Sequence, residues 1–74
     1  MTTDELLAVY PAARLALIEA RRARGITQKA ASSMLNVSWP YYSMVELGEV
    51  TPEPRIAGKI ARLFGIDILE GEQQ

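Results

Sequence analysis

No cysteine and no histidine occur among the 74 residues. The first absence excludes disulfides and thiolate metal ligands. The second removes the commonest metal ligand and the side chain that titrates nearest neutral pH. No metal site and no catalytic centre is therefore expected, and the chain reads as a non-enzyme that uses no cofactor. Long hydrophobic runs are missing as well: the apolar stretches fall far short of the ~20 residues a membrane span needs. The opening residues Thr2, Thr3, Asp4 and Glu5 also lack the basic start of a secretory signal. A cytoplasmic chain with no membrane partner is the expectation.

A chain this short buries only ~60% of its unfolded surface, so the core must be thin and a second subunit would help it. One domain over residues 1–74 is expected, with its core in 11–66, a short leading helix in front and an acidic tail behind. The formal net charge of −1 hides an uneven distribution. Asp4, Glu5, Asp67, Glu70 and Glu72 sit in the end segments, whereas Leu6 to Ile66 holds eight bases against four acids. A basic body of this kind can attract phosphates at moderate salt.

Local signals divide the chain into about five helices with no strand-like alternation, which makes the fold class all-α. Thr2 and Glu5 have the form of a capping box ahead of the apolar run Leu6 to Val9. Pro11 suits the first turn of a second helix carrying Ala13, Leu17 and Ala20 on one face and ending at Gly25. Leu15 and Ile18 flank that face and are expected to receive the leading helix, or else a partner protein. Thr27 is a good N-cap for Gln28 to Leu35, and Asn36 tolerates the left-handed conformation where that helix stops. Val37 is expected as the buried plug of a sharp turn. Ser38 then caps a helix whose Tyr42 and Val45 face inward and which ends at Gly48. Glu53 and Pro54 open the last helix, with Ile56, Ile60, Leu63 and Phe64 at helical spacing and Gly65 behind them.

The run Gly25-Ile26-Thr27-Gln28, then Leu35-Asn36-Val37-Ser38, then Ser43, Glu46, Gly48 and Pro52 resembles the phage-repressor-type, or Xre-like, helix-turn-helix family. About 50 residues, Ala13 to Ile66, carry the resemblance, and several landmarks fall at the right separations together. It implies a compact lambda-repressor-like bundle with a central helix-turn-helix. It also implies a small sequence-specific DNA-binding transcriptional regulator, a repressor acting as a homodimer on double-stranded DNA. Residue by residue, Gln28 would touch a backbone phosphate with Lys29 adding charge beside it, and Ser38, Trp39, Tyr41, Ser43 and Met44 would face the major groove. Arg21 and Glu46 stand where the family places a structural ion pair. Arg22 and Arg24 would join Lys29 in a positive rim or simply favour their helix end, and Arg55, Lys59 and Arg62 are read as mainly solvated.

The expected reading helix departs from the family pattern. Ser38 to Leu47 contains no Arg, Lys, Asn or Gln, the residues that pair with base edges. Glu49 and Glu53 fall in the loop where the family commonly places bases, and Ala31 and Ser32 replace a larger apolar residue and an alanine, leaving volume for Tyr42 to fill. The alternative function is therefore a helix-turn-helix-derived protein-interaction module, an antagonist of a transcription factor, that uses the apolar face of Trp39, Tyr41, Met44 and Leu47. Ile66, Ile68 and Leu69 form a late apolar group that serves either dimerisation or the domain's own core.

Overall fold

Thr2 starts the first helix by a reciprocal exchange. Its hydroxyl oxygen accepts the Glu5 N–H at 3.2 Å, and the Glu5 carboxylate accepts the Thr2 N–H at 3.4 Å. The computed structural model describes residues 2–68 of the chain. Its helices are α1 (Thr3–Val9), α2 (Leu15–Ala23), α3 (Gln28–Leu35), α4 (Trp39–Leu47) and α5 (Pro54–Phe64), with no strand among the described residues.

The second helix begins later than Pro11 suggests. Residues 11–14 form a turn, and α2 opens only at Leu15. Long-range hydrogen bonds account for the difference. The Arg14 N–H donates to the Glu46 carbonyl at 2.8 Å, and Arg14 Nη1 donates to the carbonyls of Val45 and Val50 at 2.6 and 3.0 Å. Those carbonyls lie at and beyond the end of α4, where backbone acceptors run short of regular helical partners. Satisfying them holds residues 11–14 in a strap rather than a helical turn.

Side chains set the remaining boundaries. Thr27 Oγ1 accepts the Ala30 N–H at 3.1 Å and Ser38 Oγ accepts the Tyr41 N–H at 3.3 Å, so each helix of the central pair has its own N-cap. Between them Asn36 takes the left-handed conformation, φ 59° and ψ 46°, and the Val37 N–H closes onto the Ser32 carbonyl at 3.0 Å. Val37 itself is half-buried against the core, not the enclosed plug expected of it, because the sharp turn keeps it at the rim. Pro40 lies in the first turn of α4, where a missing N–H breaks no helical bond.

Leu17 of α2, Ala31 and Leu35 of α3, Tyr42 and Val45 of α4, and Ile56, Ile60 and Phe64 of α5 form one buried cluster. Each of its large side chains contributes roughly 1.5–3 kcal/mol by leaving water. Tyr42, only 1% exposed, supplies bulk where Ala31 is small, and Ser32 turns its hydroxyl back onto the Lys29 carbonyl at 2.7 Å. Helix α1 buries no residue; Leu6, Leu7 and Leu15 are half-buried, and Ile18 is buried outside the main cluster. Ile66 and Ile68 pack against the core, so at least part of the late apolar group caps its own domain. Leu69 and the acidic residues after it lie outside the described residues.

Candidate functional site

Helix α4 has two unlike faces. Tyr42, Val45 and Glu46 point inward and are buried, whereas Ser38, Trp39, Pro40 and Met44 lie exposed on the opposite side. Trp39 is 51% exposed and Met44 36%, so this outward face is neither tucked under a neighbouring helix nor polar. Tyr41, Ser43 and Leu47 are half-buried along its edges, with Tyr41 resting against the core.

Four side chains connect that face to the interior. Arg21 Nε donates to Glu46 Oε2 at 2.6 Å and Arg21 Nη2 to Glu46 Oε1 at 3.3 Å. Gln28 Nε2 donates to the same Oε1 at 2.8 Å, and the Trp39 indole N–H donates to Gln28 Oε1 at 3.2 Å. Arg21 also donates through Nη1 to the Ile26 carbonyl at 2.8 Å. Burial by itself would lower the Arg21 pKa, but hydrogen bonding and the charge of Glu46 outweigh it and raise the pKa above the usual value. The buried carboxylate is therefore fully compensated, as a buried charge must be. Gln28, expected to contact phosphate, uses both ends of its amide as a strut between Glu46 and Trp39. A phosphate contact by that side chain would use the second N–H of the amide, since the first is donated to Glu46.

The cations are distributed differently from a continuous rim. Lys29 and Arg22 are exposed. Arg24 donates to the Ala20 carbonyl at 3.1 Å and stacks its guanidinium 5.6 Å from the centroid of the Phe64 ring. Lys59 reaches the Leu35 carbonyl at 3.5 Å, where a cation favours the C-terminal end of α3. Arg55 lines a shallow groove of about 270 Å³ with Ser38, Tyr41 and Glu53 beside the head of α4. Glu49 and Glu53 are both exposed and repel phosphate from this side.

Two features were not read from the sequence. One is the Gln28–Trp39 bond, which has no local signature because the residues open different helices. The other is Arg14, which sits at the N-cap of α2, a place where a cation opposes the helix dipole. That misfit is itself a usable signal: a base at an electrostatically poor position is held there by something else.

Tyr42 completes the interior of the site. Its hydroxyl lies close enough to feel Glu46 and Arg21 but meets hydrogen-bond geometry with neither, and it has no such partner among the described residues. Burial first and the Glu46 carboxylate second push its pKa far above the ordinary phenol value, with Arg21 pulling the other way. Among the described residues no cluster of acids is arranged to hold a metal ion, and no helix is long and apolar enough to cross a membrane.

In comparison with known proteins, residues 17–70 match the family model described as helix-turn-helix. No curated protein and no solved structure matches the chain.

Proposed function

The chain belongs to the phage-repressor-type helix-turn-helix family, whose members bind DNA and regulate transcription, and from that premise we propose that it is a sequence-specific repressor acting as a homodimer. The observation that carries this reading is the open outward side of α4, with Trp39 and Met44 exposed opposite a fully buried Tyr42 and Val45. A helix presented in this way fits the major groove, which admits one cylinder of its width.

In the proposed mechanism Lys29 and the N-terminal amides of α3 grip backbone phosphate, with Gln28 holding Trp39 at the correct angle. Ser38, Trp39, Tyr41, Ser43 and Met44 then meet the groove. Two subunits would occupy half-sites one helical turn, ~34 Å, apart and exclude polymerase by occupancy. The exposed parts of Ile66 and Ile68 are the surface proposed for pairing, to be checked by sedimentation. Such a regulator would work in the cytoplasm without a cofactor.

Trp39 is the only tryptophan, which makes its fluorescence a specific reporter. Titration with duplex DNA from upstream of the protein's own gene should change the emission at lower concentration than scrambled duplex does. Silence with both duplexes at low salt overturns the proposal.

One observation favours a second reading. The exposed apolar surface of Trp39 and Met44 also suits a protein partner, since aromatics and Met are enriched at interface centres. An affinity for such a partner that is indifferent to salt, with none for DNA, would establish it.

A further inference from the structure

The polar atoms on the outward face of α4 limit what that face can recognise, an inference that rests on the DNA reading above. Trp39 has a single polar side-chain atom, and its N–H is already donated to Gln28 at 3.2 Å. The nitrogen of Gln28 is in turn donated to Glu46 at 2.8 Å. Pro40 and Met44 are exposed and bring no hydrogen-bond donor. The exposed centre of that surface is therefore an indole face, a pyrrolidine ring and a thioether, with the hydroxyls of Ser38, Tyr41 and Ser43 left to its edges. All four bases display hydrogen-bonding groups in the major groove, thymine through O4, and an apolar surface leaves these unpaired. The one apolar group there is the C5-methyl of thymine.

We infer that the outward face of α4 reads pyrimidine 5-methyl groups through Trp39, Pro40 and Met44 and accepts thymine and 5-methylcytosine alike. The methyl of 5-methylcytosine projects from the same ring position into the same groove, so a surface that makes no bond to the adjacent polar atom gains the same contact from either base. Membership of a DNA-binding family favours a nucleic acid as the occupant, and two cations flank the face. Lys29 at the head of α3 and Arg55 at the head of α5 are exposed cations, and Arg55 shares its groove with Ser38 at the start of α4. Glu53 in that groove and the exposed Glu49 offset the attraction, which shifts the burden of recognition onto the apolar contacts.

The test selects duplexes for the full chain from a random pool and remakes the enriched sequence with altered bases. Uracil in place of a contacted thymine should weaken binding about fourfold, the worth of one buried CH₂ group. Replacing a contacted thymine–adenine pair by 5-methylcytosine–guanine should hold affinity within about twofold, whereas unmethylated cytosine should lose what uracil loses. Met44→Gln, close in shape to the original, should erase the uracil effect at one position and introduce a preference for adenine there. Equal binding of thymine and uracil duplexes overturns the inference while leaving the DNA reading intact. A pool that never enriches overturns both.

Discussion

Gln28 Nε2 and Glu46 Oε1 lie 2.8 Å apart, and this one hydrogen bond ties the opening of α3 to a buried carboxylate on α4. The same amide receives the Trp39 indole N–H through its oxygen. Gln28→Ala should therefore cost about 1–3 kcal/mol, since a bond to a charged group is lost. It should also lower the fluorescence anisotropy of Trp39, because the indole loses its tether. Unchanged anisotropy in the folded variant would show that the strut does not hold the ring.

Arg21 and Glu46 are compensated only together. Arg21→Met leaves the carboxylate, 1% exposed, without its cation and should destabilise the domain by about 3–5 kcal/mol in urea unfolding. The double variant Arg21→Met with Glu46→Leu should recover much of that loss. A single-variant cost below about 1 kcal/mol would mean that water reaches the pair.

Glycines 25 and 48 share a positive φ, 66° and 77°, but not their surroundings. A Cβ at Gly25 meets nothing within 4 Å, while one at Gly48 would stand 2.1 Å from the Ala12 carbonyl oxygen. Gly25→Ala should cost about 1–2 kcal/mol for the left-handed conformation alone. Gly48→Ala should cost clearly more, because backbone cannot move aside as a side chain can. Equal losses in thermal unfolding would place the strap of residues 11–14 away from α4.

Tyr42 gives the fold an alkaline limit. Its folded pKa is raised by burial and by Glu46, so its contribution to stability is complete below the unfolded value of about 10 and is lost as pH rises from there toward the folded value. Over that range stability should fall by up to about 1.4 kcal/mol per pH unit from this residue. Tyr42→Phe should flatten the alkaline decline and be neutral or stabilising near neutrality, since an unpaired buried hydroxyl disappears. Superimposable alkaline profiles for the two proteins would contradict this account.

For Lys29 the readout is salt. Lys29→Ala should weaken binding to every duplex and reduce the slope of log affinity against log salt by about 0.9, one phosphate contact. A slope equal to that of the unaltered protein would remove Lys29 from the interface.

What could be read from the chain divides by distance along it. Thr2, Thr27, Ser38, Asn36 and Gly48 act on backbone groups within a few residues, so their roles as caps and turns were visible before any coordinates. The spacing of Ile56, Ile60 and Phe64 announced the buried side of α5 for the same reason. Arg14 bonds carbonyls 31 and 36 residues away, and nothing near it in sequence records that attachment. That remote attachment overrides Pro11 and sets the start of α2 at Leu15. Gln28 and Trp39 are likewise neighbours only across a turn, which is why the bond between them has no signature in the sequence.

Helix α4 is fastened at its head by the Trp39 indole and near its tail by the hydrogen bonds from Arg14. A rod clamped at two points cannot roll about its own axis to present another stripe to a ligand. Divergence in what the outward face of α4 can bind must then proceed by exchanging the side chains at Pro40 and Met44, because replacing Trp39 would also release one of the two clamps.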